Sequence, residues 1–451
     1  MPTTEPIEVT EPERSSLSSP EPELLRRVQI KVFWRIVPVL FAAYVISFLD
    51  RVNVGFAALQ MNKQLGFTSV IFSTGVSLFF LGYLACEIPS NTMILRFGAR
   101  RWLARIMVTW GIIECLNALI SGPNSFYVMR FLLGVAEAGL FPGVIFYLTY
   151  WIAAENRARA TATLMLGLPV SLVIGSPISG ALLTMDGFAG LAGWQWLFII
   201  EGLPAILLGV AVLRLLPDGP AAASWLTRAE CHMIEQSVAA PQQRAEGRHS
   251  HLQAVASAVL NPTILLLGAV NFTWGAIIYG LTFWLPQILK SLGGLSNLEI
   301  GFLGALPYTV AAVVMVLWAR HSDLSGERVW HASIALFVAS LGFVVTSLMT
   351  DPYLALVGTT VTAVGVISFA GVFFVLPGSY MTGAAAAGGI AMVTTFGNLG
   401  GFVGPFIVGL LLSQFHDFRL ALLALALFAA TGGVGILFLL RTPAKIAPER
   451  V

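Results

Sequence analysis

"SFLDRVNVGFA", Ser47 to Ala57, ends a long apolar run that begins near Phe33. It sets an acid beside a base, Asp50 and Arg51, with Asn53 three residues after the acid on the same helical face. Each charge at the centre of a membrane helix costs about 2.5–3.5 kcal/mol on insertion scales. The fold therefore turns on whether the surroundings of this stretch are lipid or water. Composition decides for lipid. Of 451 residues, 57% are hydrophobic and 11% charged, and mean hydropathy is +0.83, whereas an ordinary soluble domain carries about 25% charged residues.

A membrane helix needs roughly 20 mostly apolar residues. Runs of that kind fall near 33–57, 70–95, 103–121, 124–152, 159–184 and 194–216, and again near 263–285, 299–319, 332–350, 354–378, 384–412 and 418–440. The expectation is an all-α membrane protein with twelve transmembrane helices, both termini on one side. Positive charge sets the orientation. With the termini in the cytoplasm, 20 of the 25 Lys and Arg lie on that side. Lys63, Lys290 and Arg419 lie opposite, and Arg51 and Arg130 sit inside spans.

The halves repeat. "LRFGARRWLA" (95–104) and "DLSGERVWHA" (323–332) match at one offset, pairing Gly98 with Gly326, Arg100 with Arg328 and Trp102 with Trp330. Pro177 and Pro405 share that offset. Two six-helix pseudo-repeated bundles follow, 31–216 and 261–441, with a substrate site expected between them near the bilayer midplane. Residues 1–30, rich in Pro, Glu and Ser, read as a disordered cytoplasmic tail, without the basic start and apolar core of a signal peptide. Residues 217–260 read as a cytoplasmic linker in which "TRAE" (227–230) forms a capping box, and 442–451 as a second tail. "HSH" (249–251) has no third ligand nearby, and Cys86, Cys115 and Cys231 form neither a disulfide framework nor a metal spacing. No metal and no cofactor are expected, and a net charge of +2 suggests no nucleic-acid partner.

Several motifs act together: "FLDRVNVGFA" in the first span, "GARRW" after the second, "RFLLGVAEAGLFPGV" in the fourth and "ENRARA" after it. "GWQWLFIIEGLPA" enters the sixth, and "FGNLGGFVGP" lies in the eleventh. With these, residues 30–440 resemble the major facilitator superfamily and, within it, the anion:cation symporter family. The first half departs from the superfamily's loop signature, carrying Leu95 where an Asp is usual, whereas the second half keeps Asp323.

The ionisable residues within spans are Asp50, Arg51, Glu114, Arg130 and Glu137, with Glu87 and Glu201 nearer span ends. No histidine falls inside the spans as read, so a proton carrier there has to be a carboxylate. Arg130 and Glu137, seven residues apart, share one face about 10 Å apart. One reading is a structural ion-pair network, Asp50 with Arg130 or Arg51 with Glu137; the other is function. The resemblance implies proton handling by Asp50 and Glu137 and anion binding by Arg51 and Arg130. Asn398 resembles a substrate-contacting position of the family, while Tyr44, Tyr83 and Asn53 are further candidates to line the cavity. Glu201 reads as structural, and Glu114 matches no pattern.

The function expected is proton-coupled import of a small organic anion, a sugar acid or hydroxy-dicarboxylate, by alternating access in a bacterial inner membrane, the protein acting as a monomer in the bilayer. A uniporter or exchanger without proton coupling is the rival. A membrane enzyme would need a nucleophile–base pair or metal cluster in the spans, and a receptor a larger soluble domain than these segments supply.

Overall fold

The structure is a computed structural model, described here for residues 21–245, 261–291, 293–380 and 384–441. Among these there is no strand, and twelve helices are long and apolar enough to cross a membrane. The first half holds α1 (Glu21–Leu65), α2 (Ser69–Phe97), α3 (Ala99–Leu116), α4 (Pro123–Glu137, resumed at Leu140–Leu148), α5 (Ala154–Met165, resumed at Gly167–Leu182) and α6 (Gly193–Leu215). The second holds α7 (Pro262–Ser291), α8 (Asn297–Ser325), α9 (Arg328–Leu348), α10 (Pro352–Phe373), α11 (Ala384–Phe415) and α12 (Phe418–Leu437). In lipid every backbone polar group needs an internal partner, which makes helices the natural form of these runs. Polar caps mark several starts: Thr68 accepts from the Ile71 amide, Asp351 from those of Tyr353 and Leu354, and Ser296 with Glu299 closes a capping box. Outward faces stay apolar, with Leu207, Val313, Leu341 and Leu427 exposed where acyl chains would lie.

Helix α1 begins at Glu21, so residues 21–30 are helical rather than part of a disordered tail. At about 1.5 Å per residue its 45 residues far exceed a hydrocarbon core of about 30 Å. Near its start Arg27 pairs with Glu23 within the helix (2.8 Å), and Lys31 pairs with Glu230 (3.0 Å). Glu230 lies in a linker helix, Arg228–Ala245, whose capping box forms as read: Thr227 N donates to Glu230 (2.8 Å) and Glu230 N to the Thr227 hydroxyl (3.2 Å). The Thr227 amide and then Lys31 hold the Glu230 carboxyl below its ordinary pKa. Trp225 stacks on Trp151 (5.7 Å). Residues 1–20, 442–451 and the "HSH" at 249–251 lie outside the described residues.

The loop signatures differ as their sequences do. Arg328 pairs with Asp323 (3.4 Å) in the second half, whereas its mate Arg100 finds Asp218 beyond α6 (2.7 Å), and Leu95 is exposed. Two histidines, His321 and His331, do fall inside helices α8 and α9, because these extend past the apolar runs; they sit at the helix ends nearest the termini.

The halves meet along α1–α7, α2–α11 and α5–α8. Their closest approaches lie towards the side opposite the termini and are built on glycine. A methyl placed on Gly55 would lie 2.7 Å from the Phe283 carbonyl oxygen, one on Gly301 2.7 Å from that of Ser176, and one on Gly409 2.7 Å from that of Ser69. Gly55 and Phe283 are mates at the repeat offset, so the pseudo-symmetry axis passes close to this crossing. Here the halves pack most closely; nearer the termini they share a cavity.

Candidate functional site

Successive residues of α1 point in directions about 100° apart, which splits the "SFLDRVN" charges between two places. Ser47 and Arg51, four apart, turn toward the interface of the halves. Asp50 and Asn53 turn into the first bundle. Helix α4 runs unbroken from Arg130 to Glu137 and then stops, since Ala138 takes an extended conformation (φ −54°, ψ 130°) and Gly139 a left-handed one (φ 88°). Glu137 is thus the last residue of its helix segment.

At the interface, Arg51 Nε and Nη2 donate to Glu137 Oε1 (2.9 and 2.6 Å), and the Ser47 hydroxyl donates to the same oxygen (2.6 Å). Arg51 Nη1 reaches across to the Tyr279 hydroxyl (3.1 Å), its mate at the repeat offset of 228. The guanidinium lies over Phe48 (5.1 Å), Phe79 and Tyr83 (both 5.3 Å), an aromatic cage favourable to a cation. Arg51 is 8% exposed and Glu137 1%.

Arg51 forms one wall of a cavity with about 860 Å³ of empty volume, part of it open to solvent. The first half contributes Tyr44, Ser47, Arg51 and Tyr83, and the second Asn271, Tyr279, Thr394 and Asn398. Phe48, Phe141, Met165, Trp274 and Phe374 supply apolar walls. A largely apolar cleft with a few convergent polar groups and one buried cation suits a small anion.

A second group lies deeper in the first bundle. Trp110 Nε1 donates to Asp50 Oδ2 (2.7 Å). One turn along α3, Glu114 accepts from Asn53 Nδ2 (2.7 Å) and, on its other oxygen, from Asn117 Nδ2 (2.8 Å). The Ser179 hydroxyl donates to Glu201 (2.8 Å). Arg130 is fully buried, rests 5.3 Å from the Phe79 ring, and none of its three nitrogens finds a protein acceptor among the described residues.

The structure therefore brings Arg51, Tyr44, Tyr83 and Asn398 to one cavity, while Asp50, Asn53, Arg130 and Glu137 are not among its lining residues, Glu137 lying behind Arg51. The expected pocket with two guanidiniums is not formed in this conformation. Phe79, against which both guanidiniums rest, and the end of α4 at Glu137 leave Arg130 inside the bundle. Of the two expected ion pairs, Arg51–Glu137 is present (2.6 Å), whereas the Asp50 carboxylate is taken by Trp110. The sequence reading missed Ser47 and Trp110 and left Glu114 unassigned. Their signals were the spacings of four between Ser47 and Arg51 and between Trp110 and Glu114. Tyr279 and Asn271, which the sequence offers only as neutral polar residues of the second half, both line the cavity. No cluster of three or more His, Cys, Asp or Glu suited to a metal ion occurs among the described residues.

The model of the Major Facilitator Superfamily matches residues 40–388 and 294–450. A protein of Agrobacterium vitis named "Putative tartrate transporter" is 44% identical over 428 residues, 95% of this chain and 94% of its own. The quinolone resistance transporter of Acinetobacter baumannii is 38% identical over 391 residues, 87% and 89% of the two chains. Among solved structures, a bacterial homologue of the human lysosomal transporter Spinster, crystallised inward-facing and occupied, superposes with a TM-score of 0.74 at 16% identity, over 90% of this chain and 97% of that one. A cavity shared by two repeated halves and these matches converge: the chain is no enzyme, but a secondary transporter that belongs to the Major Facilitator Superfamily.

Proposed function

We propose that this protein is a proton-coupled symporter that imports a small organic anion, a sugar acid or hydroxy-dicarboxylate, by alternating access. The observation that carries the reading is the buried Arg51 guanidinium at the cavity wall, occupied by Glu137 Oε1 through two of its nitrogens (2.9 and 2.6 Å). A planar guanidinium binds a carboxylate bidentately and stays charged at any physiological pH. An arriving anion competes with Glu137 for it, and a proton on Glu137 frees Arg51. Anion and proton then load together, and the empty carrier returns only after the proton leaves. Tyr44, Tyr83, Tyr279 and Asn398 orient the anion; Asp50, the second proton-coupling carboxyl, forms with Asn53 and Arg130 the inner polar layer behind it.

In this reading the protein lies in the inner membrane, with the Lys- and Arg-rich side and both termini in the cytoplasm. The glycine crossings are then periplasmic and the cavity faces inward. The name of the A. vitis relative supports a dicarboxylate with hydroxyl groups, for which the neutral polar residues of the second half supply partners. Proton coupling is also what separates this reading from a uniporter or exchanger.

Thermal denaturation of the purified protein against tartrate, several sugar acids, apolar acids and a quinolone tests the substrate class. A ligand at 100 times its Kd stabilises the fold by about 2.7 kcal/mol, so a hydroxy-acid should raise the melting temperature with concentration. Stabilisation by the quinolone alone would overturn the assignment. Alternation is tested at these crossings. Gly301→Val drives a branched side chain against the Ser176 carbonyl, which a Cβ on Gly301 would already approach to 2.7 Å. Uptake should fall at least tenfold while the variant still reaches the membrane, and uptake like the parent's would show that this contact need not form during transport.

A further inference from the structure

The inner polar layer contains three carboxyls and one guanidinium: Asp50, Glu114 and Glu201 are 1%, 0% and 3% exposed, and Arg130 is 0%. Arg51 and Glu137 already form a closed pair at the cavity. If every acid of the layer were ionised, Arg130 would leave two negative charges uncompensated. Buried charges without partners are neutralised by protonation rather than kept.

Hydrogen bonds identify which acid keeps its charge. Glu114 receives an amide N–H on each oxygen, from Asn53 (2.7 Å) and Asn117 (2.8 Å), so both oxygens act as acceptors. Asp50 accepts on Oδ2 alone, and Glu201 on Oε1 alone, from the Ser179 hydroxyl. Asp50 Oδ1 and Glu201 Oε2 receive nothing from the protein among the described residues and are the atoms able to carry a hydrogen. Asn53 Oδ1 likewise has no donor among the described residues. Helices α3 and α4, which carry Glu114 and Arg130, pack against one another, and all three Arg130 nitrogens lack a hydrogen-bond partner among the described residues. Among the described residues, Glu137 and Arg51 face the cluster from the cavity side, and the Cys115 thiol beside Glu114 donates to the Ile199 carbonyl (3.5 Å).

We infer that Glu114 is the standing, ionised counter-ion of Arg130, while Asp50 and Glu201 hold protons on Oδ1 and Oε2. Glu114 is then a positioning residue for coupling. Its charge keeps Arg130 from drawing the proton off Asp50, so it sets the pH at which the carrier loads. The assignment rests on the proton-coupled reading above only for this last consequence.

Infrared spectra of the purified protein in nanodiscs at neutral pH, in water and heavy water, test the assignment without transport. Protonated carboxyls give a carbonyl band that ionised ones lack. Asp50→Asn and Glu201→Gln should each remove one such band; Glu114→Gln, compared at a pH about one unit lower so that Asp50 stays protonated, should remove none. A band lost in Glu114→Gln, or none lost in Glu201→Gln, would overturn the inference. In proteoliposomes, Glu114→Gln leaves Arg130 uncompensated, which favours ionised Asp50. Loading then needs more acid, and the pH of half-maximal uptake should move down by about one unit, the effect of a single charge near 10 Å at an effective dielectric of about 20. A merely structural role would lower yield and melting temperature but leave the profile in place. An unshifted profile overturns the positioning role. If Glu114→Gln cannot be recovered folded, Glu201→Gln still decides, since it exchanges a neutral acid for a neutral amide and should remove a band without moving the profile. A parent protein with no pH-driven uptake would sink the proton-coupled reading alone, for the infrared bands do not depend on it.

Discussion

Arg51→Lys is expected to weaken binding of the organic anion by ten- to a hundredfold although the charge is kept. Arg51 uses three nitrogens at once, Nε and Nη2 on Glu137 and Nη1 on Tyr279. An ammonium offers a compact point charge on a more flexible stem and cannot hold two parallel hydrogen bonds to one carboxylate while reaching a third group. Hydrogen bonds to charged groups are worth about 1.5–3 kcal/mol each, and each 1.4 kcal/mol is tenfold in Kd. The cage of Phe48, Phe79 and Tyr83 was also formed around a planar cation. Titration of the purified variant against the acid identified by thermal shift measures the loss. Binding within a factor of two of the parent would remove Arg51 from the anion site.

Glu137→Gln should separate binding from coupling. The neutral amide resembles a protonated Glu137, and it releases Arg51 from its internal ion pair. Anion affinity should be kept or rise, and exchange between two substrate-filled sides should continue. Uphill uptake driven by a pH gradient should disappear, because this position can no longer give up a proton for the return step. In the parent each pH unit can drive about tenfold accumulation per proton carried, the equivalent of about 1.4 kcal/mol. Paired measurements of counterflow and gradient-driven uptake in the same proteoliposomes check both halves of the expectation. Parent-like accumulation by the variant would move the coupling proton elsewhere; loss of counterflow as well would make Glu137 a structural partner of Arg51 and no more.

The prediction for Glu114 reverses the order in which sequence alone would rank these residues. Read along the chain, Glu114 is an acid in "TWGIIECLNAL" with no base in its own helix. In space it accepts from Asn53 of α1 as well as from Asn117 at the end of its own helix, and α4, which carries Arg130, packs against α3. No spacing along α3 contains that information, since it depends on how α1 and α4 pack against α3. Arg130 moved the other way. Its distance of two turns from Glu137 is a property of one helix and was legible, but whether both face the cavity depends on the break at Ala138 and Gly139 and on the placing of Phe79.

What the sequence determined by itself was everything that follows from the solvent and from local geometry. Apolar runs of span length have one stable form in lipid, so twelve helices and an internal repeat were readable, as was the capping box at Thr227. Alternation within α1 showed that Asp50 and Arg51 could not share a face, because neighbours on a helix are rotated by about 100°. The tertiary structure alone decided which partners those faces meet: Trp110 for Asp50, Glu137 and Tyr279 for Arg51, and none from the described protein for Arg130. Helix ends near the termini, such as the start of α1 at Glu21, also needed the structure, since polar residues outside the hydrocarbon core show no hydropathy signal when they continue a helix. Hydropathy reports how a residue meets its solvent, whereas a buried charge is governed by its few nearest neighbours, and those are set by helix packing.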